Sequence, residues 1–224
     1  MTFDKDNVKG FIAARVAQEL NDGDVVNLGI GLPTMIPSYL PEGVELTMEA
    51  ENGIIGSIKP DADHPAEPYW SVDAGGQAAL AGLGGAYIDS AVSFGLIRGG
   101  HIDATVLGTL EVDQEGNLSN WIIPGKRLPG MGGAMDLVVG AKKVIVATEH
   151  TAKGKPKILK KCTLPFTAIN CVDMIVTEMC VFVITPDGMV MTEYNPAFTL
   201  DEIKAATEAD YTVADDVKEM VVNF

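Results

Sequence analysis

The sequence predicts an α/β fold, a mixed, largely parallel open sheet flanked by helices, as one domain over residues 1–224. Three observations lead there. Apolar runs of strand length outnumber helical stretches through the middle of the chain. Helical periodicity brackets those runs at both ends. Between residues 24 and 50, strand, glycine-rich turn, helix and strand follow one another, as they do in layered α/β folds.

Taken in order, Val8, Phe11, Ile12, Val16 and Leu20 recur at helical spacing, and Asn21-Asp22-Gly23 supplies the glycine stop expected after a helix. The run from Asp24 to Leu28 reads as a strand entering the turn Gly29-Ile30-Gly31-Leu32-Pro33, with a short helical stretch through Leu40 and a strand over residues 44–50 beyond it. Ala104 to Val112 and Leu118 to Ile123 read as paired strands around Asp113-Gln114-Glu115-Gly116-Asn117, and Lys143 to Thr148 as a buried strand. Met174 to Ile184 and Met189 to Glu193 read as a hairpin around Pro186-Asp187-Gly188, and a last helix spans Leu200 to Glu208 with Thr199 or Asp201 at its start.

Hydrophobic residues make up 47% of 224, which supplies a packed core and excludes a disordered chain. A net charge of -15 disfavours nucleic acid and anionic membrane surfaces as partners, and no apolar run approaches bilayer length. Three cysteines (Cys162, Cys171, Cys180) form no CxxC pair and cannot all be bridged. Together with three scattered histidines they argue against a zinc site and for a reducing, cytoplasmic setting, with no basic-then-apolar leader at the N-terminus.

The chemistry-bearing candidates are acids and glycines. In Val44–Gly56 (VELTMEAENGIIG), strand alternation puts Glu45, Thr47, Glu49 and Glu51 on one face, which alone would suit a half-solvated edge strand. Asn52-Gly53 breaks that strand at Glu51, so the last acid sits on a tight turn, where loop chemistry is often mounted. Gly29 and Gly31 lack the third glycine of a dinucleotide fingerprint, position 34 being Thr. They suit either backbone contact with a ligand or tight packing. Gly130, Gly132 and Gly133, in the stretch from Lys126 to Asp136, make a loop nearly free of side chains, either a plain turn or a set of amides for an oxyanion. Lys153, Lys155, Lys157, Lys160 and Lys161 suit a solvated face or a phosphate contact and stay outside the predicted site.

Taken together, NLGIGLPT (Asn27 to Thr34), ENGIIG (Glu51 to Gly56), SFGLIRGGHID (Ser93 to Asp103), GNLSNWIIPGK (Gly116 to Lys126) and GMGGAMDLV (Gly130 to Val138) resemble the β subunit of the family I CoA-transferases, in order and over nearly the whole chain. The resemblance implies Glu51 as nucleophile and Asn52, Gly132 and Gly133 as substrate and oxyanion contacts. It also implies a covalent glutamyl-CoA thioester, and the turn at Gly29 and Gly31 is then the candidate for backbone contacts to coenzyme A. Acyl-CoA and short carboxylic acids such as acetate, butyrate or acetoacetate would be the substrates. Coenzyme A is then a substrate, and neither a cofactor nor a metal is needed. An α subunit of similar fold, completing an α2β2 heterotetramer, is implied as partner. One departure stands out: Glu49 and Ala50 occupy positions where the family usually has Gln or His and then Ser, which places a second carboxylate two residues from the nucleophile. An acyl-CoA hydrolase, or a non-catalytic ligand-binding module of the same fold, remains as the alternative.

Overall fold

The computed structural model describes residues 3–65, 71–126 and 130–222. Helix α1 (Val8–Ala17) stops at Ala17, and Leu20 is buried in the turn that follows. Its Phe11, Ile12 and Val16 pack on Val26, Val106, Ile145 and Val176 and form the core on one side of the main sheet. Strand β1 (Val25–Leu28) leads into a 3-10 helix over Leu32–Tyr39, whose Pro33 and Pro37 lack the N–H groups a regular α-helix would use.

Strands β2 (Thr47–Ala50), β3 (Ile54–Ile58) and β4 (Leu80–Tyr87) form an antiparallel run. Next come α2 (Ser90–Arg98), capped by Asp89 Oδ1 accepting from Val92 N at 2.9 Å, and β5 (Ala104–Leu107). Strands β6 (Glu111–Asp113) and β7 (Leu118–Ser119) precede α3 (Ala134–Gly140) and β8 (Val144–Ala147). A small hairpin of β9 (Thr151–Ala152) and β10 (Lys155–Pro156) leads to β11 (Ile158–Leu159), which joins β6 and β7 in a three-stranded side sheet. The chain closes with β12 (Met174–Val176), β13 (Cys180–Thr185), β14 (Gly188–Tyr194), α4 (Leu200–Ala206) and β15 (Thr212–Glu219).

The main sheet has ten strands in the order β15-β14-β13-β12-β8-β5-β1-β2-β3-β4. Its centre, β12-β8-β5-β1-β2, is parallel, and antiparallel pairs flank it on both sides, with β15 returning parallel to β14. This is the mixed, largely parallel open sheet expected from the sequence. Among the described residues no helix is long and apolar enough to cross a membrane.

Several boundaries differ from expectation for local reasons. The strand expected over residues 104–112 breaks after Leu107, because Thr109 Oγ1 bonds to the carbonyls of Glu111 and Ser119 (2.5 and 3.2 Å) and turns the chain into the side sheet. Its expected partner over 118–123 pairs only through Leu118–Ser119. The run 174–184 is two antiparallel strands: Thr177 Oγ1 accepts from the amides of Met179 and Cys180, both at 3.1 Å, and makes the turn between them. The last helix begins where expected, with Thr199 and Glu202 in a capping box, and ends at Ala206.

His150 lies fully buried between two threonines, Nδ1 at 3.0 Å from Thr177 Oγ1 and Nε2 at 2.9 Å from Thr207 Oγ1. Burial without a counter-charge lowers its pKa to about 4, so the ring is neutral.

Candidate active site

The parallel strands β2, β1, β5 and β8 deliver the segments that follow them to one edge of the sheet, the edge where open α/β sheets mount their ligand sites. Glu51 follows β2 there, in the turn Glu51-Asn52-Gly53 between β2 and β3. The turn is tied at both ends: Gly53 N donates to Ala50 O and Ile88 N donates to Gly53 O, each at 2.9 Å. Gly53 has φ +124°, and a Cβ there would lie 2.2 Å from Ile88 O, so only glycine lets the turn pack this closely. Asn52 ties the turn sideways, its Nδ2 donating to Val72 O at 2.7 Å.

The acids do not share one solvent face, and β2 is not an edge strand. Glu45 precedes β2 and is exposed, whereas Glu49 is 3% exposed, in a strand paired on both sides. Glu49 and Glu51 nevertheless meet. Asn27 of β1, paired in register with Glu49, donates from Nδ2 to Glu49 Oε2 (2.8 Å), Glu49 O (3.2 Å) and Glu51 Oε2 (3.2 Å). Ser93 Oγ of α2 donates to Glu49 Oε1 at 2.8 Å. Burial raises the Glu49 pKa, the bonds from Asn27 and Ser93 oppose the shift, and the charge of Glu51 adds to it.

With Oε2 of Glu51 held by Asn27, Oε1 faces the glycine loop. A Cβ on Gly132 would lie 3.7 Å from Oε1, and one on Gly133 would lie 2.9 Å from Cγ and 3.3 Å from Oε1. Neither the Gly132 nor the Gly133 amide donates to another group among the described residues. Residues 127–129, in the stretch leading into this loop, lie outside the described residues.

A cavity of about 310 Å³ opens at the same sheet edge, lined by Ile30 and Pro33 after β1, Thr109 after β5, and Thr148, Lys153 and Lys157 beyond β8. Gly29 and Gly31 flank Ile30. Gly29 has a packing reason as well, since a Cβ there would lie 3.1 Å from Leu107 Cδ2 and 3.2 Å from Val106 O. The lysine run does not act as one solvated face: Lys157 turns inward to donate to Thr148 Oγ1, and burial lowers its pKa to about 8. Sequence reasoning set Lys157 aside with the rest of the lysine run and missed the roles of Asn27 and Ser93. Asn27 opens the NLGIGLPT stretch, and the one available signal was a polar residue at the centre of an apolar strand.

Residues 11–206 match the family model for coenzyme A transferase. The chain belongs to the coenzyme A transferase family. It is 56% identical over 218 residues to the beta chain of an acetate CoA-transferase of Haemophilus influenzae, covering 97% of each chain. It is 44% identical over 204 residues to one subunit of a probable succinyl-CoA:3-ketoacid coenzyme A transferase of Bacillus subtilis, covering 91% of this chain and 94% of the relative. Among solved structures, an acyl-CoA transferase apoenzyme from Escherichia coli O157:H7 superposes with a TM-score of 0.76 at 22% identity. It covers 99% of this chain, which spans 45% of that one, and the likeness is one of fold.

Proposed function

We propose that this chain is the β subunit of a CoA-transferase that moves coenzyme A between a short acyl-CoA and a short carboxylic acid, with acetate favoured as the acid, and that Glu51 is its nucleophile. The observation that carries the assignment is a carboxylate on a glycine-locked turn, one oxygen held by Asn27 and the other close against the backbone of Gly132 and Gly133. The 56% identity to one chain of an acetate CoA-transferase favours acetate.

The transfer exchanges one thioester for another and is nearly balanced in energy. What it requires is an activated acyl group kept from water. Oε1 of Glu51 attacks the acyl-CoA carbonyl, and the two glycine amides stabilise the oxyanion that develops. Collapse gives a mixed anhydride and CoA thiolate. The thiolate attacks the glutamyl carbonyl, releasing the first acid as its carboxylate and leaving Glu51 as a CoA thioester. The acceptor acid runs the two steps in reverse. The cavity beside the Gly29-Ile30-Gly31 turn, with Lys153 and Lys157 on its wall, suits the phosphate-bearing part of coenzyme A.

The partner is an α subunit, in an α2β2 arrangement. Exposed apolar side chains at Leu83, Tyr87, Val92, Met135 and Val139 are the kind a soluble chain covers with a partner. The three free cysteines fit a reducing, cytoplasmic setting.

The test is to co-express the chain with its α subunit, incubate the complex with acetyl-CoA, reduce with borohydride and map peptides while assaying transfer across short acids. Glu51 should appear as the alcohol, because a thioester is reduced and a free carboxylate is not. Transfer without modification at Glu51 would refute the assignment.

A further inference from the structure

One nitrogen joins two carboxylates. Asn27 Nδ2 has two hydrogens and three acceptors, of which two belong to Glu49 and the third is Glu51 Oε2. The arrangement is rigid: Asn27 and Glu49 are paired in the parallel ladder between β1 and β2, and Glu49 is held from the opposite side by Ser93 of α2. Asn27, Glu49 and Ser93 are 2%, 3% and 0% exposed. Among the described residues no cation balances the pair. Arg98 of α2 pairs with Asp136 of α3 and Lys142 with Asp103, and no described Lys, Arg or His makes an ion pair with Glu49 or Glu51. The groups facing Glu49 are therefore Asn27 from β1, Ser93 from α2 and Glu51 from the turn.

We propose that Glu49 is a positioning residue for the transfer reaction: it fixes the Asn27 amide against Glu51 and forms with Glu51 a coupled carboxylate pair that carries one negative charge, on Glu51 before the reaction and on Glu49 while Glu51 is covalently occupied. The inference rests on Glu51 being the nucleophile. Its physical basis is that a buried and a half-buried carboxylate sharing one donor, with no cation paired to either, resist double ionisation, so the more buried Glu49 keeps its proton while Glu51 is charged. When Glu51 becomes a thioester its charge disappears. The repulsion disappears with it, and both N–H groups of Asn27 can then serve Glu49, which favours ionised Glu49.

Proton balance makes this measurable. Acyl-CoA plus the Glu51 carboxylate gives the Glu51–CoA thioester plus the free acid as its carboxylate, and that half-reaction neither takes up nor releases a proton. Any proton released on forming the thioester then comes from a coupled group, and the proposal names the Glu49 carboxyl O–H as its source.

The experiment mixes the complex of this chain and its α subunit with stoichiometric acetyl-CoA and a pH indicator, over a pH window that opens at the ordinary glutamate value of about 4.3 and extends upward. The parent should release up to about one proton per site, with a maximum inside that window, and Glu49→Gln should release none while still forming the thioester. Ser93→Ala removes a bond that favours charged Glu49, so its release maximum should move to higher pH, which keeps the test open if Glu49→Gln fails to assemble. Equal proton release from the parent and Glu49→Gln, no release from the parent, or an unmoved maximum in Ser93→Ala would overturn the proposal. Borohydride mapping in the same samples separates the two claims. A label away from Glu51 refutes the nucleophile, whereas a label on Glu51 with unchanged proton release refutes only the role of Glu49.

Discussion

Gly133→Ala isolates how tightly the glycine loop is fitted to the proposed nucleophile. A methyl group at residue 133 would lie 2.9 Å from Glu51 Cγ and 3.3 Å from its Cδ and Oε1. Carbon atoms in contact prefer about 3.5–4.0 Å, so roughly 1 Å of separation must be found. The turn cannot supply it, being bonded to Ala50 and Ile88, so the carboxylate moves off its bond with Asn27. A displacement of about 1 Å at a reacting atom costs on the order of 10²-fold in rate, or about 2.7 kcal/mol. Folding should barely change, because Gly133 sits at φ -83°, ψ 4°, where alanine is accommodated. Gly132→Ala is the converse: its Cβ would be 3.7 Å from Glu51 Oε1, an ordinary contact, but φ +51° makes it cost about 1 kcal/mol of stability. Steady-state kcat/KM of the assembled complex, with thermal melts of the same preparations, separates the two. If Gly133→Ala stays within about threefold of the parent in kcat/KM at an unchanged Tm, the steric argument fails and the loop is only a turn.

Glu51→Gln keeps the shape and loses the nucleophile, so transfer should fall by roughly 10³-fold or more with the melting temperature preserved, measured in the assembled complex. Gly53→Ala places a methyl group 2.2 Å from Ile88 O at φ +124°, and should cost more than about 3 kcal/mol, read as a lowered urea midpoint. Glu49 has a raised pKa in the fold, so its contribution to stability is full below the ordinary glutamate value and is lost as pH rises through the raised one; Glu49→Gln should match the parent below the ordinary glutamate value and gain on it as pH rises in denaturant melts. His150 is the opposite case: its depressed pKa contributes stability above 6.5 that is lost as pH falls through about 4, roughly 3 kcal/mol in all, and a His150→Gln variant should show a correspondingly shallower acid limb.

The sequence made the sheet and the turn legible for a plain reason: Val26, Val106, Ile145 and Val176 sit in short apolar runs, and Asn52-Gly53 is a dipeptide suited to a tight turn. Much of what it hid involves glycine or polar residues inside strands. β4 reads LAGLGGAY and escaped notice because glycine lacks strand propensity; here it is needed, since a Cβ on Gly85 would lie 2.7 Å from Ile55 O of β3. β15, TVADDVKE, is an exposed edge strand with little apolar content to mark it. The contact between Glu49 and Glu51 could be suspected from spacing. The amide that joins them comes from 22 residues upstream and depends on β1 pairing with β2, which local pattern does not specify.

The strand order also sets a timetable. β2, which carries the turn of Glu51, lies against β1, but β1 gains its other neighbour from residues 104–107, and the parallel centre is complete only when Met174–Val176 arrives. On a ribosome making about 5–20 residues per second, the stretch from β2 to β12 takes on the order of 10 s. β3 covers the far side of β2 almost at once, but Val26 waits in β1 for residues 104–107, and β8 in turn waits for β12. Sheets closed by such distant pairings fold slowly and expose apolar edges while they do. Cells making this chain therefore have reason to shield it during synthesis, and slowing translation between codons 60 and 170 should reduce soluble yield without changing the specific activity of the molecules that survive.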